Sequence, residues 1–107
     1  MKTLLHTEKP YGGNIRLIKL LLRRESEQEY PVLFKWALQL LYFDGAAWVK
    51  ICRIDNYPHA GRAEPHIHEY GKSRVRFEDI GFDSAQEEIL LIGAKILLDK
   101  FHQVMKR

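Results

Sequence analysis

Apolar residues follow two rhythms along this chain: alternate positions through the first half, and steps of three and four near the end. In "NIRLIKLLLRR" (14–24), Ile15, Leu17 and Leu21 fall on one side of an extended segment and Ile18, Leu20 and Leu22 on the other. A 3.6 period fits this run tolerably too, and the strand is the adopted reading. From Pro31 onward, Val32, Phe34, Trp36, Leu38, Leu40 and Tyr42 alternate with Leu33, Lys35, Ala37, Gln39 and Leu41. One face is wholly apolar and the other mixed, as expected of a strand with one side on a core. Pro31 is tolerated because a first strand residue need not donate to the ladder. Asp44-Gly45 then marks a hairpin, since glycine accepts the positive φ of a primed turn. The returning strand is residues 47–55, and "SRVRFEDI" alternates again, with Val75 and Phe77 inward and Arg74, Arg76 and Glu78 outward.

The end of the chain reads as a helix. Ser84 and Glu87 have capping-box spacing, Glu87 and Glu88 favour the first turn, and Lys106 and Arg107 the last. Leu90, Ala94, Leu97, Phe101 and Val104 recur as a seam. Ile89, Leu91, Ile92, Ile96 and Leu98 widen it beyond what one sheet face needs, which points to deep burial or to a second partner, such as another copy of the chain in a homodimer. The pattern predicts an α+β fold: an antiparallel β-meander of about four strands packed by a long C-terminal α-helix.

Composition adds bounds. The 107 residues suit a single domain over 1–107, and 46% hydrophobic with 29% charged residues is ordinary for a globular protein. One cysteine, Cys52, excludes an intramolecular disulfide and a four-cysteine zinc site, and mid-strand it reads as a small buried hydrophobe. No apolar run approaches the ~20 residues of a membrane helix, and the first residues lack a signal-peptide pattern, so a cytoplasmic protein with no membrane contact is expected. The net charge of +3 does not by itself require nucleic acid.

Chemistry concentrates in "RIDNYPHAGRAEPHIHEYGKSRVRF" (53–77). Asp55 closes a strand, "NYPHAGRAEP" is a loop carrying His59 and Arg62, and His66 and His68 share one face of an extended segment. Two imidazoles about 6–7 Å apart along a strand suit two chemistries. They can act as general base and general acid in phosphodiester cleavage without a metal, with Asp55 orienting one of them. Alternatively His66, His68 and Asp55 or His59 hold a divalent transition metal such as zinc. A third reading leaves them as surface chemistry on a non-catalytic protein-interaction module. Arg53, Arg74, Arg76 and Asn56 are the candidate substrate-binding residues; Arg62 is read either as a further group that neutralises the phosphate or as a mobile surface residue. His6 reads as part of a flexible terminus and His102 as a helix-end residue. Trp36 and Trp48 read as packing in the hairpin, with base stacking the alternative for one of them. No phosphate-binding glycine loop, HExxH, EF-hand or serine-nucleophile motif is present.

The order of strand, Arg53-x-Asp55-Asn56, loop histidine, His66-x-His68, basic strand and terminal helix resembles the small TumE-like toxin family of prokaryotic toxin–antitoxin pairs. The layout covers roughly residues 34–101, with the specific residues confined to 53–68. Tyr57-Pro58 separates Asn56 from His59, where the family pattern places histidine sooner. The resemblance implies a toxin-like protein that partners a small antitoxin and acts on RNA or translation.

Overall fold

The computed structural model describes the backbone of residues 1–105 and the side chains of residues 1–100. Six strands, Lys2–Pro10 (β1), Ile15–Arg23 (β2), Phe34–Phe43 (β3), Trp48–Asp55 (β4), His66–Glu69 (β5) and Arg76–Phe77 (β6), precede one helix, Phe82–Met105 (α1). The strands form one antiparallel sheet in chain order, a meander, with α1 packed on β3 and β4. The α+β class is therefore observed, with six strands in place of about four.

The two extra strands escaped the alternation count for physical reasons. β1 is exposed at every residue but Leu5, so no periodic apolar face marks it. His6 consequently lies in an edge strand paired with Leu20, and not in a flexible terminus. β5 has only four residues, and the expected strand at 73–80 shrinks to Arg76–Phe77. The β3–β4 hairpin turns as expected at Asp44-Gly45, but through a four-residue loop. Asp44 Oδ1 accepts the amides of Ala46 (2.8 Å) and Ala47 (2.9 Å), and Gly45 takes φ 101°.

One sheet face meets the helix. Leu17, Trp36, Leu38, Leu40, Cys52, Ile54 and Ile67 pack there against Ala85 and Ile89. α1 starts at Phe82, two residues ahead of the expected Ser84 cap. The Ala85 amide closes the first turn on the Gly81 carbonyl at 2.9 Å, and the Phe82 ring meets Trp36 edge-on at 5.9 Å. Ser84 is therefore inside the first turn, where Asp83 supplies the acidic charge. The buried seam runs through Ala85, Ile89 and Gly93, one position ahead of the expected Leu90 and Ala94, which are half-buried and exposed. Leu91 (67%) and Leu98 (59%) face outward. The expected contributions of Lys106 and Arg107, and the side chains of Phe101, His102 and Val104, lie outside the described residues.

Gly93 explains the rotation. A Cβ built on it would lie 2.0 Å from Leu40 Cδ2, so any side chain here would force Leu40 to shift or the helix to stand off from the sheet. Lys19 Nζ reinforces the crossing by donating to Gln86 Oε1 at 2.7 Å. Among the described residues no helix is long and apolar enough to cross a membrane.

Two measurements probe this core. Gly93→Val should destabilise the fold by about 1–3 kcal/mol through overpacking, read as a lower midpoint in urea without a changed slope. Burial, with the charge of Glu69 adding to it, pushes the Cys52 thiol up to about 12 from 9.0. The folded state then binds a proton that the unfolded chain releases, so the thiol's contribution is complete below pH 9.0 and is lost as pH rises towards about 12. The folded protein should resist a thiol reagent at neutral pH and react once unfolded, and its urea midpoint should fall across that alkaline window.

Candidate functional site

Strand pairing decides which side chains meet. On the sheet face away from α1, one cross-strand row runs Leu20, Ala37, Asp55, His66, Phe77. The next row runs Ile18, Gln39, Arg53, His68. Among the described residues no helix or strand lies over this face, so the polar residues of 53–68 share it with half-exposed apolar ones.

Asp55 is only 4% exposed even so. Its carboxylate is satisfied: Oδ2 accepts from Arg53 Nε at 2.7 Å and Oδ1 from the Tyr57 amide at 2.8 Å. His66, 6% exposed, places Nε2 3.4 Å from the same Oδ1, while its Nδ1 is 3.0 Å from the Glu64 carbonyl. Its Nδ1 thus lies at hydrogen-bond distance from a carbonyl while its Nε2 faces the carboxylate. Burial works against the Arg53 charge, but the Asp55 hydrogen bond and charge, helped by Tyr57 and Tyr70, outweigh it and raise the guanidinium above its ordinary range.

His59 reaches the cluster from the loop. His59 and Arg62 close a two-residue turn, each amide donating to the other's carbonyl (2.9 and 3.1 Å). Ala60 and Gly61 both have positive φ, 54° and 77°, which is the primed geometry. The cost falls on Ala60, whose Cβ disfavours the left-handed region. The turn sets the exposed His59 ring 5.2 Å from His66 and 6.1 Å from Phe77, and lays the Arg62 guanidinium 3.9 Å over Phe77. The His66 ring is 5.4 Å from Phe77 as well, so one phenyl ring seats three site residues. His68, half-exposed, packs its ring 4.7 Å from Tyr70, whose hydroxyl accepts from Gln39 Nε2 at 3.0 Å.

The structure therefore gathers Asp55, His59, His66 and Arg53, with His68 in the adjoining row. It separates the other candidates. Arg76 pairs with Ile67, a core residue, so it lies on the helix side of the sheet, bonded to Glu78 at 3.1 Å. Phe77 takes the place on the histidine face. Arg74 is exposed on the β5–β6 connection. Asn56 is 3% exposed and fully committed: Oδ1 accepts the Trp36 amide at 2.9 Å and Nδ2 donates to the Phe34 carbonyl at 2.7 Å. Its own carbonyl accepts from Tyr30 Oη. It pins the end of β4 to β3, and its burial keeps the side chain from a substrate. Arg62 is exposed, but its packing on Phe77 and ion pair with Glu64 give it a defined position.

The metal alternative finds no support in the geometry. Among the described residues no three His, Cys, Asp or Glu side chains converge to hold an ion. Both Asp55 oxygens already accept hydrogen bonds, and His66 Nδ1 faces a carbonyl. Of the residues that shape the site, Tyr57 carried no periodic signal, and the alternation that marked Phe77 pointed it inward, whereas it pairs with His66 on the face away from the helix.

No protein-family model, curated protein or solved structure matches the chain.

Asn56→Ala should cost about 1–3 kcal/mol, because it strands the buried Trp36 amide and the part-buried Phe34 carbonyl of β3. Chemical denaturation reads the loss. A substrate-binding role would instead leave the midpoint in place.

Proposed function

We propose that the chain cleaves RNA by metal-independent acid–base catalysis and acts as the toxin-like member of a toxin–antitoxin pair. The observation that carries this reading is the gathering of His59, His66, Asp55 and Arg53, with His68 one row away, at one end of the uncovered sheet face.

The open and buried imidazoles take different roles. His66 has both nitrogens turned to protein oxygens, so it serves with Asp55 and Arg53 as a fixed, polar floor. The exposed His59 ring is 5.2 Å from that of His66, and the half-exposed His68 is two residues further along the same strand face. A phosphodiester seated over that floor would have one imidazole to take the 2′-hydroxyl proton and another to give a proton to the departing 5′-oxygen. The 2′-oxygen forms its bond to phosphorus as the bond to the 5′-oxygen breaks, leaving a 2′,3′-cyclic phosphate and a 5′-hydroxyl. The Arg53 and Arg62 guanidinium groups would oppose the charge that builds on the phosphoryl oxygens. DNA lacks the attacking hydroxyl and is not a substrate.

A second observation favours a small protein partner on the opposite side. An apolar groove of about 740 Å³ runs between α1 and the sheet, lined by Tyr11, Ile15, Tyr42, Leu90 and Leu97 among others. An antitoxin seated there would leave the histidine face free.

In chelator-treated buffer, His59→Ala and His68→Ala should each slow RNA cleavage by about 10²–10⁴-fold, and the wild-type rate should be bell-shaped in pH. In cells the wild type should arrest growth and neither variant should. Wild type and variants that are equally harmless, and equally unable to cut RNA, would remove the reading.

A further inference from the structure

Cation–ring contacts in this protein are unevenly placed. Lys9 over Tyr11 aside, all of those among the described residues belong to the helix-free side of the molecule. Along β4 they form a line. Arg16 lies 4.3 Å over Trp48, Lys50 lies 5.7 Å over Tyr70, and Arg53 lies 4.9 Å over Tyr57. Trp48 is 37% exposed at the far end, and Tyr57 adjoins Asp55 at the near end. The line spans the length of β4, roughly 23 Å at ~3.3 Å per residue. Its acidic members are neutralised: Glu8 lies 3.6 Å from Arg16, and Asp55 is buried against Arg53. Lys50 and Lys35 carry the unbalanced charge.

We infer that this face is a track for single-stranded nucleic acid, in which bases stack on Trp48 and Tyr70 while Arg16, Lys50 and Arg53 follow the phosphates into the histidine cluster. The inference rests on the cleavage reading and extends it to the substrate's form: an unpaired RNA strand several nucleotides long. Flat rings interleaved with cations on an open sheet accept any base, because every base has a π face, and they reject duplexes, whose bases are already stacked. The half-exposed leucines and isoleucine of β2 flank the track without charge, so they do not repel it.

The test uses the full chain carrying His59→Ala, so that bound RNA stays intact, and reads fluorescence anisotropy of a labelled single-stranded oligonucleotide. Trp48→Ala and Tyr70→Ala should each weaken binding by about 5- to 150-fold, the equivalent of ~1–3 kcal/mol per stacked base. Lys50→Glu keeps both rings and should weaken binding further at low salt. Lys50→Ala should reduce the salt slope by about 0.7, one phosphate contact. Single-stranded DNA should bind like RNA, and duplex RNA more weakly. Thermal melts identify any variant that fails to fold, and Lys50→Glu, at an exposed position, keeps the question answerable if a ring variant does fail. Unchanged binding in Trp48→Ala, Tyr70→Ala and Lys50→Glu overturns the track, as does equal affinity for duplex. A dimer that Trp48→Ala splits, with RNA binding unmoved, overturns it too by making the face a contact between copies. A dinucleotide, too short to reach Trp48, separates the two proposals. Its cleavage by the wild type together with unmoved track variants sinks the track alone, and track-dependent binding without any cleavage sinks the catalytic reading alone.

Discussion

A carboxylate withdrawn from water must have its oxygens occupied, and Asp55 meets that requirement at the end of a central strand. Arg53 supplies a charged donor from two residues earlier, and Tyr57 supplies a backbone amide from two residues later. The pair is not an evident source of stability, since desolvation offsets much of the attraction between buried charges. What it provides is position. With Asp55 fixed, the chain must turn at Asn56, and the strand register then places His66 opposite the carboxylate and His68 opposite Arg53. The cluster is thus a consequence of how one buried charge is satisfied.

The same sheet has two dissimilar sides. Under α1 it presents leucine, isoleucine and tryptophan, drawn close by the missing side chain at Gly93. On the other side the strands keep rings and cations that are half in water. Alternation along β3 and β4 allows both, because neighbouring residues project to opposite faces. The helix therefore supplies the cohesion and leaves the other surface free for chemistry.

Much of this was legible in the residues. The β3–β4 hairpin announced itself through the apolar row Trp36, Leu38, Leu40 and the Asp44-Gly45 turn, and the helix through its own period. The edge strand β1 was not legible, because neither of its faces is buried and alternation has nothing to report. The helix start was misplaced since the Phe82–Trp36 contact, which is tertiary, outweighs the local capping signal at Ser84. Within the site, the shared face of His66 and His68 followed from strand periodicity alone. The side on which Arg76 would fall did not, as it depends on how a two-residue strand pairs with Ile67. Asn56 looked like a ligand because its polarity is visible in sequence and its partners on β3 are not.

The turn that carries His59 is tied by two reciprocal backbone hydrogen bonds and by Arg62 lying over Phe77, and it bends through a left-handed alanine. It lies outside the six-stranded ladder. Swinging it away would break few bonds and leave the sheet intact, whereas His66 and His68 move only if β5 does. One imidazole of the cluster is accordingly carried by a turn outside the ladder while its neighbours are built into the frame, so its spacing to them rests on the turn's own bonds and its contacts with Phe77 rather than on strand register.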